Sequence, residues 1–393
     1  MRKTLMRWEA GSFFGWGVLG LNLFELWAGD ADIQPVMGVP IIPRSIAGID
    51  PLRYAVLEPA MAASNRFIED IASGKLNLRS EGVLAIDGFG NRFTPMMPGG
   101  PQGFRNIARC IFEDTRLHDA GNIAGYDSVL CASNWCADQL RAVTRTPVTL
   151  IHEGIDPSLF APGRRSGMLD PECFYIFSGG KVEFRKAHDL VILAFREFAA
   201  RHDDAVLVTA WQSPWTEFSV GFQGNLAAPL RLAPNGALDL QRWVTENGIN
   251  RHQFIELPRM PNFVMPAVLR EMDCSLQVSR CEPCTNLPAK EAMACGVPVV
   301  LADNTGTRDL IDVDNCVVLR SQDPVNGEPG KDTATEGWGE SRVEEIVSAL
   351  EKLYTDTQLR RRIGARGAQW ITEHDRTWQA HAKNLKAHVL SLV

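Results

Sequence analysis

The sequence predicts an α/β protein made of two doubly wound domains. The chain has 393 residues, and at roughly 100–200 residues per domain this is enough for two domains, each with its own core. In the second half, strand-like residues 174–178 and 205–210 flank helix-like residues 187–202. Strands that alternate with helices need crossover connections, which favour parallel sheets covered by helices. Residues 152–171 contain a Pro/Gly/Arg-rich stretch and are predicted to link the two domains.

The composition is that of an ordinary globular protein and excludes several functions. Hydrophobic residues make up 45% of the chain, charged residues 22%, and the formal net charge is −7. Nucleic-acid binding requires a basic stripe, and because none is visible no nucleic-acid partner is predicted. No apolar stretch reaches about 18 residues, so no membrane-spanning helix is predicted. The N-terminus lacks a signal-peptide pattern and the nine cysteines have no framework spacing, so we expect a cytoplasmic protein with reduced thiols.

In the first half, four apolar segments are predicted to be buried strands. Ser133 follows the third of them and is predicted to cap a helix. A glycine-rich run at residues 11–20 leads into an apolar, helix-like stretch. The four predicted strands are residues 82–86, 107–112, 127–132 and 148–151.

The second half shows the alternation of strands and helices more clearly. Gly248 is predicted to end a helix at residues 237–247. Beyond residue 330 the chain is polar, and it then closes with helices that include residues 344–354 and 359–372. The other predicted strands are residues 254–257, 275–278 and 297–301, and the other predicted helices are 263–272 and 289–295.

The strongest chemical signal lies in residues 279–300, where a loop follows a buried strand and leads into a helix. The N-terminus of a helix presents free backbone N–H groups and the positive end of the dipole, which suit a diphosphate. A carboxylate inside the helix is suited to accept hydrogen bonds from sugar or ribose hydroxyls. The candidate residues are Glu282 in the loop, Thr285, Asn286 and Leu287 at the start of the helix, and Glu291 within it.

This segment resembles the donor-site motif of retaining glycosyltransferases of the GT-B fold, in the group 1 and family 4 class. The motif is two glutamates followed by A-M-A-x-G-x-P-V, and the residues from Glu291 to Val299 match it well. Glu282 and Glu291 are nine residues apart, whereas the usual spacing is eight. The resemblance implies two Rossmann-like domains that face each other across a cleft.

A basic loop after residues 174–178 resembles the family's loop for the donor diphosphate. The loop contains Gly180, Lys181 and Lys186, and the resemblance places the two lysines at the family's Arg and Lys positions. Cations at this point would neutralise the leaving nucleoside diphosphate as the glycosidic bond breaks. The resemblance therefore gives Lys186 and Glu282 both donor-binding and catalytic roles.

Other residues match the family in outline. Residues 152–162 resemble the junction between its two domains, and the glycine-rich run resembles its N-terminal loop, where Gly15, Trp16 and Gly17 are the candidate donor contacts. In the family, the loop after the strand at 254–257 packs against the nucleotide base. Leu257 and Arg259 are the candidate residues there.

The acid–base residue is sought among carboxylates at strand ends, because ligands of doubly wound sheets bind at the carboxyl ends of strands. Asp87 follows the predicted strand 82–86 and Glu113 follows the predicted strand 107–112. Glu113 is preferred because it comes one strand before residues 126–133, which resemble the strand and serine after the family's catalytic position.

The resemblance implies transfer of a sugar from a UDP- or GDP-linked donor to a hydroxyl of a carbohydrate, lipid or protein acceptor, with retention. No metal and no other cofactor are expected, and a lipid acceptor would bring the protein to a membrane surface as a peripheral partner. We expect an acceptor domain at residues 1–160, a donor domain at residues 165–370, and a last helix within 371–393 that crosses back to the first domain. The oligomeric state is not indicated.

Three alternatives stay open. Cys281 and Cys284 form a C-x-x-C pattern that is compatible with a zinc site or a redox centre, although no second pair completes a zinc set. Gly15, Gly17 and Gly20 match the dinucleotide pattern G-x-G-x-x-G, which would suit an oxidoreductase or an epimerase. The unusual spacing of the glutamates suggests, as a third alternative, a non-catalytic nucleotide-binding scaffold.

Overall fold

The computed structural model describes residues 1–118, 120–284 and 286–393. The chain divides into two units, and each contains its own six-stranded parallel sheet with helices. The predicted α/β class, with two doubly wound sheets, is confirmed. The first unit comprises Met1–Asp156, Pro261–Val264 and Asp375–Val393, and the second comprises Pro157–Met260 and Met265–His374.

The sheet of the first unit has the order β2-β1-β3-β4-β5-β6, and every neighbouring pair is parallel. Its order reverses between β1 and β3, which creates a crevice at the carboxyl ends of these strands. Its strands are β1 (Arg2–Arg7), β2 (Ile33–Met37), β3 (Leu84–Phe89), β4 (Arg105–Cys110), β5 (Ser128–Cys131) and β6 (Val148–Leu150).

The sheet of the second unit has the order β12-β11-β10-β7-β8-β9 and is also parallel throughout. Its order reverses between β7 and β10, so the loops after these two strands lie beside each other. Its strands are β7 (Phe174–Gly179), β8 (Ala205–Ala210), β9 (Phe254–Glu256), β10 (Cys274–Gln277), β11 (Val299–Ala302) and β12 (Val317–Leu319). A separate antiparallel hairpin pairs β13 (Asp323–Pro324) with β14 (Gly339–Glu340).

Helices connect the strands and cover the sheets. Several begin at a side chain that accepts a hydrogen bond from the first turn, and the predicted cap Ser133 is confirmed by its bond from the Cys136 N–H at 3.1 Å. The helices of the first unit are α1 (Gly15–Ala28), α2 (Pro51–Ala72), α3 (Asn134–Val143) and α10 (Trp378–Leu390). Those of the second are α4 (His188–Ala199), α5 (Leu240–Glu246), α6 (Met265–Leu269), α7 (Leu287–Ala294), α8 (Val343–Thr355) and α9 (Thr357–Glu373).

The sequence prediction missed α2, although this is the longest helix of the described chain. Its outward face carries Leu52 and Val56, which are 78% and 77% exposed, and Pro59 lies inside it. Apolar side chains on the solvent face obscure the helical period, and an internal proline usually argues against a helix.

Several predicted boundaries were wrong by a few residues. The strand predicted at 107–112 is β4, which begins at Arg105, and the strand predicted at 82–86 is β3, which runs on to Phe89. The helix predicted at 237–247 begins only at Leu240, because Asp239 caps it by accepting from the Arg242 N–H. These shifts arise because pairing with neighbouring strands and local caps decide where an element ends.

The C-terminal helix α10 packs on α1 within the first unit. The Trp27 indole donates to the Ala382 carbonyl at 3.3 Å, and Lys386 pairs with Asp30 at 2.7 Å. Before α10, the backbone of Thr377 approaches Gly154 so closely that a Cβ on Gly154 would lie 2.0 Å from the Thr377 carbonyl carbon. Only glycine fits at that position. No helix among the described residues is long and apolar enough to cross a membrane.

Candidate functional site

The loops after β7 and β10 meet at the switch point of the second sheet and bring a glutamate and two cations together. Glu282 is 4% exposed and accepts hydrogen bonds from Lys186 Nζ at 2.6 Å and from Arg185 Nη1 at 3.2 Å. The Ser279 hydroxyl donates to the same carboxylate at 2.6 Å. This cluster lies at the carboxyl end of the sheet, where doubly wound folds bind their ligands.

The cations keep Glu282 ionised despite its burial. Burial alone would raise the pKa of Glu282, but the charges of Lys186 and Arg185 and the hydrogen bonds from Lys186 and Ser279 outweigh it and hold that pKa below its usual value. Side-chain exposures of 10% for Lys186 and 12% for Arg185 show that both cations are largely shielded from water. Such shielding strengthens their attraction for an anion.

Arg185 was not singled out from the sequence, yet it reaches Glu282 and the predicted Lys181 does not. Lys181 Nζ instead pairs with Glu183 at 2.7 Å and lies 4.9 Å from the centre of the Trp215 ring. Glu183 also pairs with Arg185 at 2.8 Å. The signal in the sequence that could have identified Arg185 was its position next to Lys186, since both basic residues lie in the tight turn just before a helix.

Gly180 permits the close turn that carries these cations. Its φ is 111°, a conformation that side chains rarely adopt, and a Cβ there would lie 3.4 Å from the Lys186 side chain. The Gly180 carbonyl accepts from His188 Nε2 at 3.1 Å, which ties the loop to the start of α4.

His188 predicts a pH dependence of stability. Its imidazole is 1% exposed, and burial together with the charge of Lys186 lowers its pKa from 6.5 to about 4. Between pH 6.5 and pH 4 the unfolded chain therefore binds a proton that the folded protein does not. The contribution is complete above pH 6.5, and about 3 kcal/mol is lost as the pH falls through 4.

We expect the His188→Gln variant to lack this pH-dependent contribution to stability, because glutamine can donate to the Gly180 carbonyl and does not titrate. Urea unfolding at pH 7 and pH 5 should show the wild type losing about 2 kcal/mol more than the variant. Equal losses in the two proteins would contradict the prediction.

The helix α7 begins directly after the loop that holds Glu282. Asn286 is 2% exposed, and its side chain caps α7 by accepting from the Ala289 N–H at 3.2 Å, while Leu287 opens the helix and is partly exposed. Glu291 is 6% exposed inside the helix. The predicted donor contact Thr285 lies outside the described residues.

Lys290 was also missed by sequence reasoning and is fully buried in α7. It stands eight residues after Glu282, which is the spacing at which the second glutamate of the motif is usual. A buried lysine is rare in proteins unless it is paired. Lys290 and Glu291 are both in the protein interior because α7 is buried along most of its length.

Leu257 and Arg259 follow β9, at the same end of the sheet. The Leu257 N–H donates to the Thr209 carbonyl at 2.8 Å, which continues the pairing of β9 with β8. Arg259 is exposed and lines an open depression of about 530 Å³ together with Glu256 and Asp239. Burial raises the pKa of Glu256.

Gly15, Trp16 and Gly17 lie in the first unit, in the first turn of α1. The Trp16 ring packs edge-on against Trp8, with 5.4 Å between the ring centres. Trp16 also covers Gly88, where a Cβ would lie 3.1 Å from the indole. These residues therefore belong to a different unit from Lys186 and Glu282.

The two candidate acid–base residues have contrasting surroundings. Asp87 lies inside β3, not after the strand as expected, and is 2% exposed with its Oδ1 2.5 Å from Arg7 Nη1. Burial raises the pKa of Asp87, although the charge of Arg7 and a hydrogen bond from Tyr126 oppose the shift. Glu113 is partly exposed and lies beyond the end of β4, where its backbone N–H donates to the Asn91 side-chain oxygen at 2.7 Å.

No disulfide bond joins the cysteines of the described residues, and Cys281 is buried next to Glu282 in the chain. Among residues 1–118, 120–284 and 286–393, no group of three His, Cys, Asp or Glu side chains is arranged to hold a metal ion.

Comparison with known proteins agrees with the predicted family. The sequence profile of the family described as glycosyl transferases group 1 matches residues 164–370, which is more than half of the chain. No match was found among curated protein sequences.

Solved structures share the fold at low sequence identity. Sucrose-phosphate synthase from Thermosynechococcus elongatus matches with a TM-score of 0.67 and 14% identity, over 100% of this chain and 99% of that one. HepE from Anabaena, crystallised with UDP and glucose, matches with a TM-score of 0.62 and 12% identity over 100% of both chains. A glycosyltransferase from Rickettsia africae matches with a TM-score of 0.59 and 11% identity, over 99% of this chain and 98% of that one. With the family match over residues 164–370 and two Rossmann-like sheets of the GT-B fold, this chain belongs to the glycosyl transferases group 1 family.

Proposed function

We propose that the protein transfers a sugar from a UDP- or GDP-linked donor to a hydroxyl of a carbohydrate, lipid or protein acceptor, with retention at the anomeric carbon. The observation that carries the proposal is the convergence of Arg185 and Lys186 on Glu282 at the switch point of the second sheet. A nucleoside diphosphate needs clustered cations, and the positive end of the α7 dipole, directly after this loop, favours the same anion.

The cations have a defined chemical task in this reaction. When the bond between the sugar and the diphosphate breaks, negative charge grows on the leaving phosphate oxygen. Lys186 and Arg185 stabilise that charge in a shielded site, so the barrier falls without a metal ion. Before the donor binds, Glu282 and Glu183 neutralise the same side chains, so a diphosphate competes with both carboxylates for them.

The glycine pattern does not favour a dinucleotide-dependent enzyme. A dinucleotide motif places its glycines in the turn between strand and helix. Here Gly15, Gly17 and Gly20 lie within α1, and a Cβ on Gly20 would lie 2.8 Å from the Trp8 indole nitrogen. Packing of α1 against Trp8, the residue directly after β1, is therefore a sufficient reason for Gly20.

We expect one nucleoside diphosphate family to stabilise the protein. A ligand at 100 times its dissociation constant adds about 2.7 kcal/mol to the free energy of unfolding. Thermal unfolding should be followed with UDP, GDP, ADP and the corresponding nucleotide sugars. The upward shift in Tm should disappear in the Lys186→Ala and Glu291→Ala variants.

The opposite outcomes are equally informative. A folded wild type that responds to no nucleotide would contradict the proposed donor. Binding with no transfer to carbohydrate, lipid or protein acceptors would instead support a non-catalytic scaffold. Once an acceptor is found, proton NMR of the first product gives its anomeric configuration, and inversion would refute the proposed retention.

A further inference from the structure

Arg280 is a fully buried arginine between β10 and α7, two residues before Glu282. Its guanidinium donates two hydrogen bonds to the fully buried Asp189, at 2.9 and 2.8 Å, and a third to the Phe184 carbonyl at 2.8 Å. Its Nε bonds to Glu340, and the guanidinium carbon lies 4.2 Å from the centre of the Phe184 ring. These partners come from residues 180–187, here called the cationic loop, from the first turn of α4 and from the β13–β14 hairpin.

The backbone around Arg280 runs along the same loop. The Arg280 N–H donates to the Arg185 carbonyl at 2.7 Å, and the Cys281 N–H donates to the same carbonyl at 3.2 Å. The side chain of Arg185 in turn contacts Glu282 at 3.2 Å. Arg280 therefore holds the turn that carries both cations against the segment that carries Glu282.

The β13–β14 hairpin and the residue before β14 pack against Phe184 and Arg280. Trp338 stacks on Phe184 with 6.4 Å between the ring centres, and the Gly339 N–H donates to the Arg280 carbonyl at 3.1 Å. Asn304 donates to the Gly339 carbonyl at 3.0 Å. Several independent contacts thus join the hairpin to the cationic loop, in addition to the ion pair of Arg280 with Glu340.

We propose that Arg280 is a positioning residue of the donor site, and that the β13–β14 hairpin holds Arg280 in place through Glu340. Arg280 is 0% exposed, so it acts on the donor only by fixing the positions of Arg185, Lys186 and Glu282. Two cations that approach one diphosphate must keep a fixed separation, and small displacements are costly in a shielded site. This inference rests on the proposed function.

The test compares three variants, Arg280→Lys, Glu340→Gln and Arg342→Gln. Lysine keeps the positive charge beside Asp189 but lacks the planar set of donors that also reaches Phe184 and Glu340. Arg342 is the matched control, because it lies two residues after Glu340 and forms an exposed ion pair with Asp323, which is opposite Glu340 in the hairpin. UDP and GDP are titrated calorimetrically into each protein, and the donor KM and kcat are measured with the matching UDP- or GDP-sugar.

We expect Arg280→Lys to weaken nucleoside diphosphate binding and to raise the donor KM by about tenfold, and Glu340→Gln by about threefold. Arg342→Gln should stay within about twofold of the wild type. A purely structural role would reduce the fraction of folded protein, which lowers the apparent kcat and leaves the dissociation constant and the donor KM unchanged.

The outcomes separate the two proposals. If the wild type binds a nucleoside diphosphate and Arg280→Lys binds it equally well, the positioning role is wrong and the proposed function stands. If the wild type binds none, both fail together. Should Arg280→Lys not fold, Glu340→Gln decides, because Glu340 is partly exposed and Arg280 keeps its buried partner Asp189 in that variant. An unchanged donor KM would then overturn the inference.

Discussion

Replacing Lys186 with methionine is expected to reduce kcat/KM for the donor by about a thousandfold. Removal of one group that stabilises developing charge typically costs about 10² to 10³ in rate. Lys186 Nζ is the closest cation to Glu282, at 2.6 Å, and its side chain is only 10% exposed. Methionine preserves most of the volume and removes the charge, so the loss reports on electrostatics and not on a cavity.

Steady-state kinetics with the cognate nucleotide sugar measures this loss. The control is Lys75→Met, which removes an exposed lysine whose partner is Asp70 in the first unit. Lys181→Met should show a smaller loss, because Lys181 pairs with Glu183 and does not reach Glu282. Activity of Lys186→Met within about tenfold of the wild type would argue against the role of Lys186 in catalysis.

The second large effect is on stability, and it concerns Asp87. The Asp87→Asn variant should lower the free energy of unfolding by about 3–5 kcal/mol, because it leaves the charge of Arg7 buried and uncompensated. The side chains of Arg7 and Asp87 are 6% and 3% exposed. Arg7 also donates to the carbonyls of Pro98 and Gly100, so its loss of a counter-charge would loosen that loop as well.

Urea unfolding followed by circular dichroism measures this change in the free energy of unfolding. The Arg7→Met/Asp87→Leu double variant should regain much of the stability, since two apolar side chains replace a buried ion pair at little cost. As a control, Glu81→Gln breaks only the partly exposed pair with Lys3 and should cost at most about 1 kcal/mol.

The variants Asp87→Asn and Glu113→Gln distinguish the two candidate acid–base residues. If Asp87→Asn is as stable as the wild type but inactive, then Asp87 acts in the reaction and its ion pair is not structural. We expect instead that Asp87→Asn is less stable than the wild type, and that Glu113→Gln is as stable as the wild type but slow. A fully active Glu113→Gln would contradict its assignment as the acid–base residue.

The segment of residues 274–302 was predictable because its signals are local. A short apolar strand, a polar loop, an Asn cap and a helix ended by Gly296 follow one another within residues 274–302. Each of these features depends on a few adjacent residues. The sequence therefore placed Glu282, Asn286 and Glu291 on the correct kinds of element before any contact was known.

Residues far apart in the chain could not be assigned in this way. Arg185 and Glu282 are separated by 97 positions, and only the strand order of the second sheet brings them together. The same holds for Asp87, whose partner Arg7 lies on the neighbouring strand β1. A boundary error of three residues made Asp87 look like a loop residue at a sheet mouth, whereas strand pairing buries it.

By itself the sequence determined the class of the fold, the family and the local form of the donor motif, because periodicity, caps and turns are encoded over short distances. Only the tertiary structure decided which charges face each other. Ion pairs such as Lys186 with Glu282 and Arg280 with Asp189 depend on the order and register of β7 and β10, which no short stretch of sequence specifies. Burial then sets their strength, since the attraction between two charges grows as water is excluded from the space between them.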